Sequence, residues 1–138
     1  MRLKTILIID DDQELVEEIK EILTEEGYKV NTAFDGKTGL NLFNTLDPNL
    51  VLLDMKLPEM TGMELLPLFK TIKPKTPVLM ISGRPVFTPL SKLDVNEYNR
   101  EEAILKIADG FINKPFNIEQ LLITIKHIFV EKNSKNKE

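Results

Sequence analysis

Asn49-Leu50-Val51-Leu52-Leu53-Asp54-Met55-Lys56-Leu57-Pro58-Glu59-Met60-Thr61-Gly62 is the stretch that decides how this chain is read. Four apolar residues in a row, Leu50 to Leu53, have the form of a strand buried on both faces, as in a parallel sheet. A carboxylate follows with no polar residue leading up to it. Pro58 and Gly62 mark a loop, and a new apolar period begins at Met63. Asp54 therefore belongs where a buried strand opens into a loop, at the carboxyl edge of a sheet. That edge is where open α/β sheets bind ligands, so Asp54 is the candidate reactive residue.

The same alternation extends in both directions. Thr5 to Ile9 reads as a first buried strand and runs straight into Asp10, Asp11 and Asp12. Leu15, Ile19, Ile22 and Leu23 form a helical stripe that stops at Gly27. Tyr28 to Ala33 is a more polar strand near a sheet edge. Asp35-Gly36 turns into a helix carrying Leu40, Phe43 and Leu46, closed by Asp47-Pro48. Beyond the central stretch, Thr61 and Glu64 are spaced as a capping box. They open a third helix with Met63, Leu66 and Phe69 or Ile72 buried and Pro67 inside it. Pro77 to Ile81 is a fourth strand ending at Ser82-Gly83. A fourth helix ends near Ala108 with Tyr98 and Leu105 on its inner side. Gly110 to Ile112 is a short fifth strand ending at Asn113-Lys114-Pro115. The fifth helix has the clearest period: Ile118, Leu121, Leu122, Ile125, Ile128 and Phe129. His127 falls off that stripe. Five strand–helix pairs predict a doubly wound α/β fold, a five-stranded parallel sheet with helices on both faces. The domain is expected over 1–131, followed by a frayed polar tail, 132–138.

Composition narrows the class. The chain has 138 residues, 42% hydrophobic and 29% charged, enough for one real core and too apolar for disorder. A formal charge of −4 speaks against a nucleic-acid partner, which needs a basic face. There is no cysteine, hence no disulfide and no thiolate metal site. No apolar run approaches a membrane span, and the first strand begins too early to leave room for a signal peptide. The expectation is a cytoplasmic protein with no membrane or nucleic-acid partner.

Four of the five strands end in a side chain with chemistry: Asp10 and Asp11, Asp54, Ser82, and Lys114. Parallel strands gather these on one edge although they lie about 100 positions apart. Carboxylates crowded about 4 Å apart repel by roughly 4 kcal/mol per pair at an effective dielectric of 20. Either one takes a proton or a divalent cation neutralises the cluster. All-oxygen ligands without His or Cys suit Mg²⁺. Ser82 and Lys114 are donors for phosphoryl oxygens. Together they make an aspartyl-phosphate site. Asp12 reads more simply as a helix cap.

These residues carry a resemblance. Ile-Ile-Asp10-Asp11, Leu-Leu-Asp54-Met-Lys-Leu-Pro58-Glu-Met-Thr-Gly62, Met-Ile-Ser82-Gly83 and Lys114-Pro115-Phe116, in that order at strand ends, resemble the receiver domain of bacterial two-component response regulators over nearly the whole chain. The resemblance implies a flavodoxin-like sheet of order 2-1-3-4-5. It implies that Asp54 accepts a phosphoryl group from a sensor histidine kinase or a histidine phosphotransfer protein. Asp10, Asp11, Asp54 and the carbonyl of Met55 would bind Mg²⁺. Ser82 and Lys114 would hold the phosphoryl group, with Phe111 as the switch aromatic. Output would go to a downstream protein through the face of the fourth helix, fifth strand and fifth helix, and homodimerisation on phosphorylation is compatible with this. With no further domain after the fifth helix, the expectation is a stand-alone regulator. It is not an enzyme beyond its own phosphorylation and dephosphorylation.

Two features depart from the pattern. Between Ser82 and Lys114 the chain is about ten residues longer than the family usually runs, beyond ordinary connection lengths. The excess, within 84–97, reads as an extended segment before the fourth helix. Lys56 and Arg84, each two residues past a site residue, add cations that would slow loss of phosphate. The rival readings are a phosphatase of the haloacid dehalogenase type, using Asp10 and Asp12, Ser82 and Lys114, and a phosphorylation-independent interaction module. The first leaves Asp54 unexplained and lacks a later acidic pair, and the second has no need of Asp54 with Lys114.

Overall fold

A computed structural model describes residues 3–83, 102–104 and 106–136, the last four of these in backbone only. The elements are β1 (Thr5–Ile9), α1 (Gln13–Glu25), β2 (Lys29–Ala33), α2 (Gly36–Leu46), β3 (Leu50–Asp54), α3 (Gly62–Ile72), β4 (Val78–Ser82), β5 (Gly110–Asn113) and a C-terminal helix (Ile118–Asn136). All strand pairs are parallel, in the order β2-β1-β3-β4-β5. This is the doubly wound, flavodoxin-like sheet expected.

Strand parity divides the core in two. Ile6, Ile8, Leu50, Leu52, Leu79 and Ile81 face α1 and the C-terminal helix, whose Val16, Ile19, Leu23, Leu121 and Ile125 are fully buried. Leu7, Ile9, Val51, Leu53, Val78 and Met80 face α2 and α3, where Phe43 stacks on Phe69 with centroids 4.3 Å apart. A strand covered on both sides has no polar face, which is why β1, β3 and β4 are unbroken apolar runs.

Side-chain caps start the helices. Asp12 accepts the Leu15 N–H at 3.1 Å, Asp35 the Thr38 N–H at 2.7 Å and Thr61 the Glu64 N–H at 3.2 Å. At the end of α1, Gly27 takes a left-handed φ of 97°. Its N–H bonds the Thr24 carbonyl while the Tyr28 N–H reaches the Leu23 carbonyl, the paired closure that glycine makes available. Helix α3 continues through Pro67 to Ile72, so the missing N–H does not end it.

Several expectations are corrected. Strands β3, β4 and β5 each include the polar residue placed just beyond them, namely Asp54, Ser82 and Asn113. Leu46 and Ile72 are exposed, because each closes its helix at the amino edge of the sheet, where no strand remains to cover it. Leu65 is buried instead, along with Leu66 and Phe69. The 132–138 tail is not frayed from its start: the C-terminal helix runs to Asn136, since a docked helix propagates past its last buried side chain at little cost. Lys132 reaches back from it to the Lys75 carbonyl. Of the fourth helix, 102–104 are helical, and Ile104 and Ala108 pack on the α2/α3 side of the core. Tyr98, Leu105, Arg84 and the 84–97 segment lie outside the described residues.

Candidate functional site

The carboxyl ends of β1, β3, β4 and β5 converge. Register pairs Ile9 with Leu53, Asp54 with Ile81 and Ser82 with Asn113, so Asp10, Asp54, Ser82 and Lys114 all stand at one edge. One carboxylate oxygen each from Asp10, Asp11 and Asp54 lies within 4.8 Å of the others. Asp10 is fully buried and Asp54 nearly so, while Asp11 opens to solvent. Asp12 turns away to cap α1.

Backbone N–H groups hold two of the acids. Asp10 Oδ1 accepts the Asp12 N–H at 2.9 Å, and Asp54 Oδ1 accepts the Lys56 N–H at 3.2 Å. Lys114 Nζ is 3.0 Å from Asp10 Oδ2 and 3.7 Å from Asp54 Oδ2. The nearer contact is an ion pair without hydrogen-bond alignment, so Asp10 Oδ2 is a buried oxygen lacking a well-directed donor. The Lys114 N–H donates to the Ser82 carbonyl at 2.6 Å, tying the tips of β4 and β5 together. Ser82 is itself buried.

The loop after Asp54 is shaped by close approach. Gly62 N–H donates to the Met55 carbonyl at 3.1 Å, and a Cβ on Gly62 would fall 2.2 Å from the Asp54 carbonyl oxygen. Only glycine lets the start of α3 sit this tightly against the strand end. Lys56, two residues past Asp54, is exposed. Phe111 is half-buried, packed on the α2/α3 side of the core.

Electrostatics follow from burial. Desolvation first, and the Asp10 charge second, push the Asp54 carboxyl up to about 6 against the pull of the Lys56 N–H and Lys114. Burial opposes the Lys114 charge, but its pairing with Asp10 and the charges of Asp54 and Asp12 outweigh this and hold it above the usual lysine range. One ammonium cannot balance three carboxylates. The donor set is all oxygen, one buried oxygen lacks a directed donor, and the geometry is compact and partly open. These residues fit a hard divalent cation such as Mg²⁺.

Asp109, which no sequence pattern singles out, accepts the Val78 N–H at 2.8 Å and Lys70 Nζ at 2.6 Å at the opposite edge. Its partners lie 31 and 39 positions away, so no local signal marks it.

Comparison with known proteins agrees with the geometry. The model of the response regulator receiver domain matches residues 6–126. The transcriptional regulatory protein DltR of Streptococcus agalactiae is 30% identical over 122 residues, 88% of this chain and 50% of that protein. The response regulator ArlR of Staphylococcus aureus is 32% identical over 123 residues, 89% of this chain and 51% of that one. The chain thus spans about half the length of the curated relatives it matches. Among solved structures, a response regulator receiver domain protein (CheY-like) from Methanospirillum hungatei is 33% identical with a TM-score of 0.83, covering 97% of this chain and 99% of that one. The chemotaxis protein CheY4 of Vibrio cholerae is 27% identical with a TM-score of 0.77, over 92% and 99%. The phosphatase reading fails on both counts: the family is another, and Asp12 is spent as a cap.

Proposed function

The chain belongs to the response regulator receiver domain family, and from that premise we propose that Asp54 accepts a phosphoryl group from a histidine kinase or phosphotransfer protein. The observation that carries this is the meeting of three carboxylates with Lys114 at one sheet edge. An Asp54 oxygen attacks phosphorus as the P–N bond to imidazole breaks, and the bonding pair leaves with the imidazole nitrogen, which takes a proton. Lys114, 3.7 Å from Asp54 Oδ2, would meet the phosphoryl oxygens, and the Ser82 hydroxyl at the end of β4 would be a further donor. Mg²⁺, when bound, neutralises the acids and the incoming charge. Asp10, Asp11 and Asp54 would hold it. The Met55 carbonyl, expected as a further ligand, accepts the Gly62 N–H on one lone pair and keeps a second for the ion.

The output is contact with a downstream protein, through the face of 102–104, β5 and the C-terminal helix, biased by Phe111. Lys56, exposed two residues past Asp54, slows hydrolysis together with Arg84. A lifetime of the phosphate unchanged in Lys56→Ala with Arg84→Ala would contradict this. The stand-alone, cytoplasmic form carries over as part of the proposal, checked by the size of the native protein in the soluble fraction of its own cells. Among the described residues no helix is long and apolar enough to cross a membrane. The catalytic scope is its own phosphorylation and dephosphorylation.

The test is incubation with phosphoramidate and Mg²⁺. Phosphate uptake is expected in the wild type and lost in Asp54→Asn or with chelator. Uptake that survives Asp54→Asn contradicts the reading. Partner binding that is equal in wild type and Asp54→Asn under the same conditions would instead favour the phosphorylation-independent module.

A further inference from the structure

Strand β5 is the weak point of the site. It has four residues, pairs only with β4 and lies at the sheet edge. A short edge strand has one neighbour and few ladder bonds to fix its register. A slip of one residue would move Lys114 by about 3.3 Å, the full length of its contact with Asp10. It would also exchange Phe111 and Ile112, which now face opposite halves of the core.

The amino end of the strand carries an unusual clasp. Asp109 N–H donates to the Val78 carbonyl at 2.9 Å, and Asp109 Oδ2 accepts the Val78 N–H at 2.8 Å. One residue thus occupies both backbone groups of the first residue of β4. The same Oδ2 lies 2.6 Å from Lys70 Nζ, which also donates to the Thr76 carbonyl at 3.1 Å, fixing the carboxylate to α3. At the other end, the Lys114 N–H bonds the Ser82 carbonyl. The strand is pinned at both tips, and the Lys114 side chain springs from the second pinned residue.

Building on the role of Lys114 in phosphoryl transfer, we propose that Asp109 is a positioning residue for that reaction: from the amino edge it sets the register of β5, and with it the place of the Lys114 ammonium. Asp109 and Lys114 are separated by about 16 Å of extended chain, so Asp109 acts through the strand and never touches the phosphoryl group. The acids that would hold Mg²⁺ stand apart, at the ends of β1 and β3; moving Lys114 from beside them removes a competing cation and does not weaken Mg²⁺ binding.

This separation supplies the test, made on the full chain with phosphoramidate as donor. Asp109→Ala should slow phosphorylation by about tenfold while Mg²⁺ binds at least as tightly as in the wild type. In a Lys114→Ala background, Asp109→Ala should bring no further slowing, since the two act as one unit. Asp109→Asn retains an acceptor for the Val78 N–H and should recover most of the rate. An unchanged rate in Asp109→Ala, a parallel loss of Mg²⁺ affinity, or equal slowing in the Lys114→Ala background would each overturn the proposal. Should Asp109→Ala fail to fold, Lys70→Met frees the carboxylate from α3 and should slow the reaction by about threefold; a wild-type rate there overturns it equally. Failure of the wild type to take up phosphate would sink the receiver reading as well, and that control tells the two failures apart.

Discussion

At Asp54, function and stability pull in opposite directions. Its carboxyl holds a proton up to about pH 6, so between about pH 4 and 6 the native state keeps a proton that the unfolded chain has released. Stability tied to this group is therefore lost as pH rises through that window. The loss reaches at most about 3 kcal/mol, since each tenfold change in proton affinity is worth about 1.4 kcal/mol. Without Mg²⁺, Asp54→Asn should be more stable than wild type at pH 7.5 and equal to it near pH 4, as read by urea unfolding. Saturating Mg²⁺ should close or reverse the gap. A wild type that matches Asp54→Asn at every pH would show that neither burial nor the Asp10 charge raises the Asp54 carboxyl. Lys114→Ala should act the other way, removing the counter-charge to Asp10. Loss of one partner of a buried pair costs about 3–5 kcal/mol, which the solvent reach of Lys114 reduces to the lower part of that range.

On the scale of elements, the loop from Asp54 to α3 is a fitted joint. Gly62→Ala drives a Cβ into the Asp54 carbonyl, and overpacking of this kind costs about 1–3 kcal/mol. The variant should melt earlier and bind Mg²⁺ more weakly, because the displaced backbone belongs to a site residue. A Gly62→Ala protein with wild-type Mg²⁺ affinity would mean that the joint does not position the acid. Elements also explain what could be read from the sequence. Asp10, Asp54 and Ser82 are legible because each ends an apolar run that only a doubly covered strand produces, and Lys114 because it precedes a proline at the same edge. Leu46 and Ile72 mislead because periodicity gives the face of a helix and not where the sheet beneath it stops. Asp109 is invisible because Ala-Asp-Gly reads as turn punctuation, and its worth comes from Lys70 and Val78, brought to it only by the closed fold.

For the molecule as a whole, one sheet separates two cores and gathers the charge that neither could hold at one edge. That edge is destabilising in itself, and the buried apolar strands beneath it carry the cost. A cation that binds only the folded state should stabilise the whole chain, by about 2.7 kcal/mol at a hundred times its dissociation constant. For a domain of this size that is roughly 5–10 °C in Tm, observable by calorimetry and absent in Asp10→Asn with Asp11→Asn. The claim beneath all of this is that Asp54 is the residue that carries phosphate. The most direct measurement is borohydride reduction of the protein after treatment with phosphoramidate and Mg²⁺, followed by peptide mass mapping, because an acyl phosphate is reduced at the carbon that bore it. Homoserine is expected in place of Asp54 and nowhere else, with none formed when Mg²⁺ is chelated. Reduction at Asp10 or Asp11, or a phosphorylated chain with Asp54 intact, would contradict it.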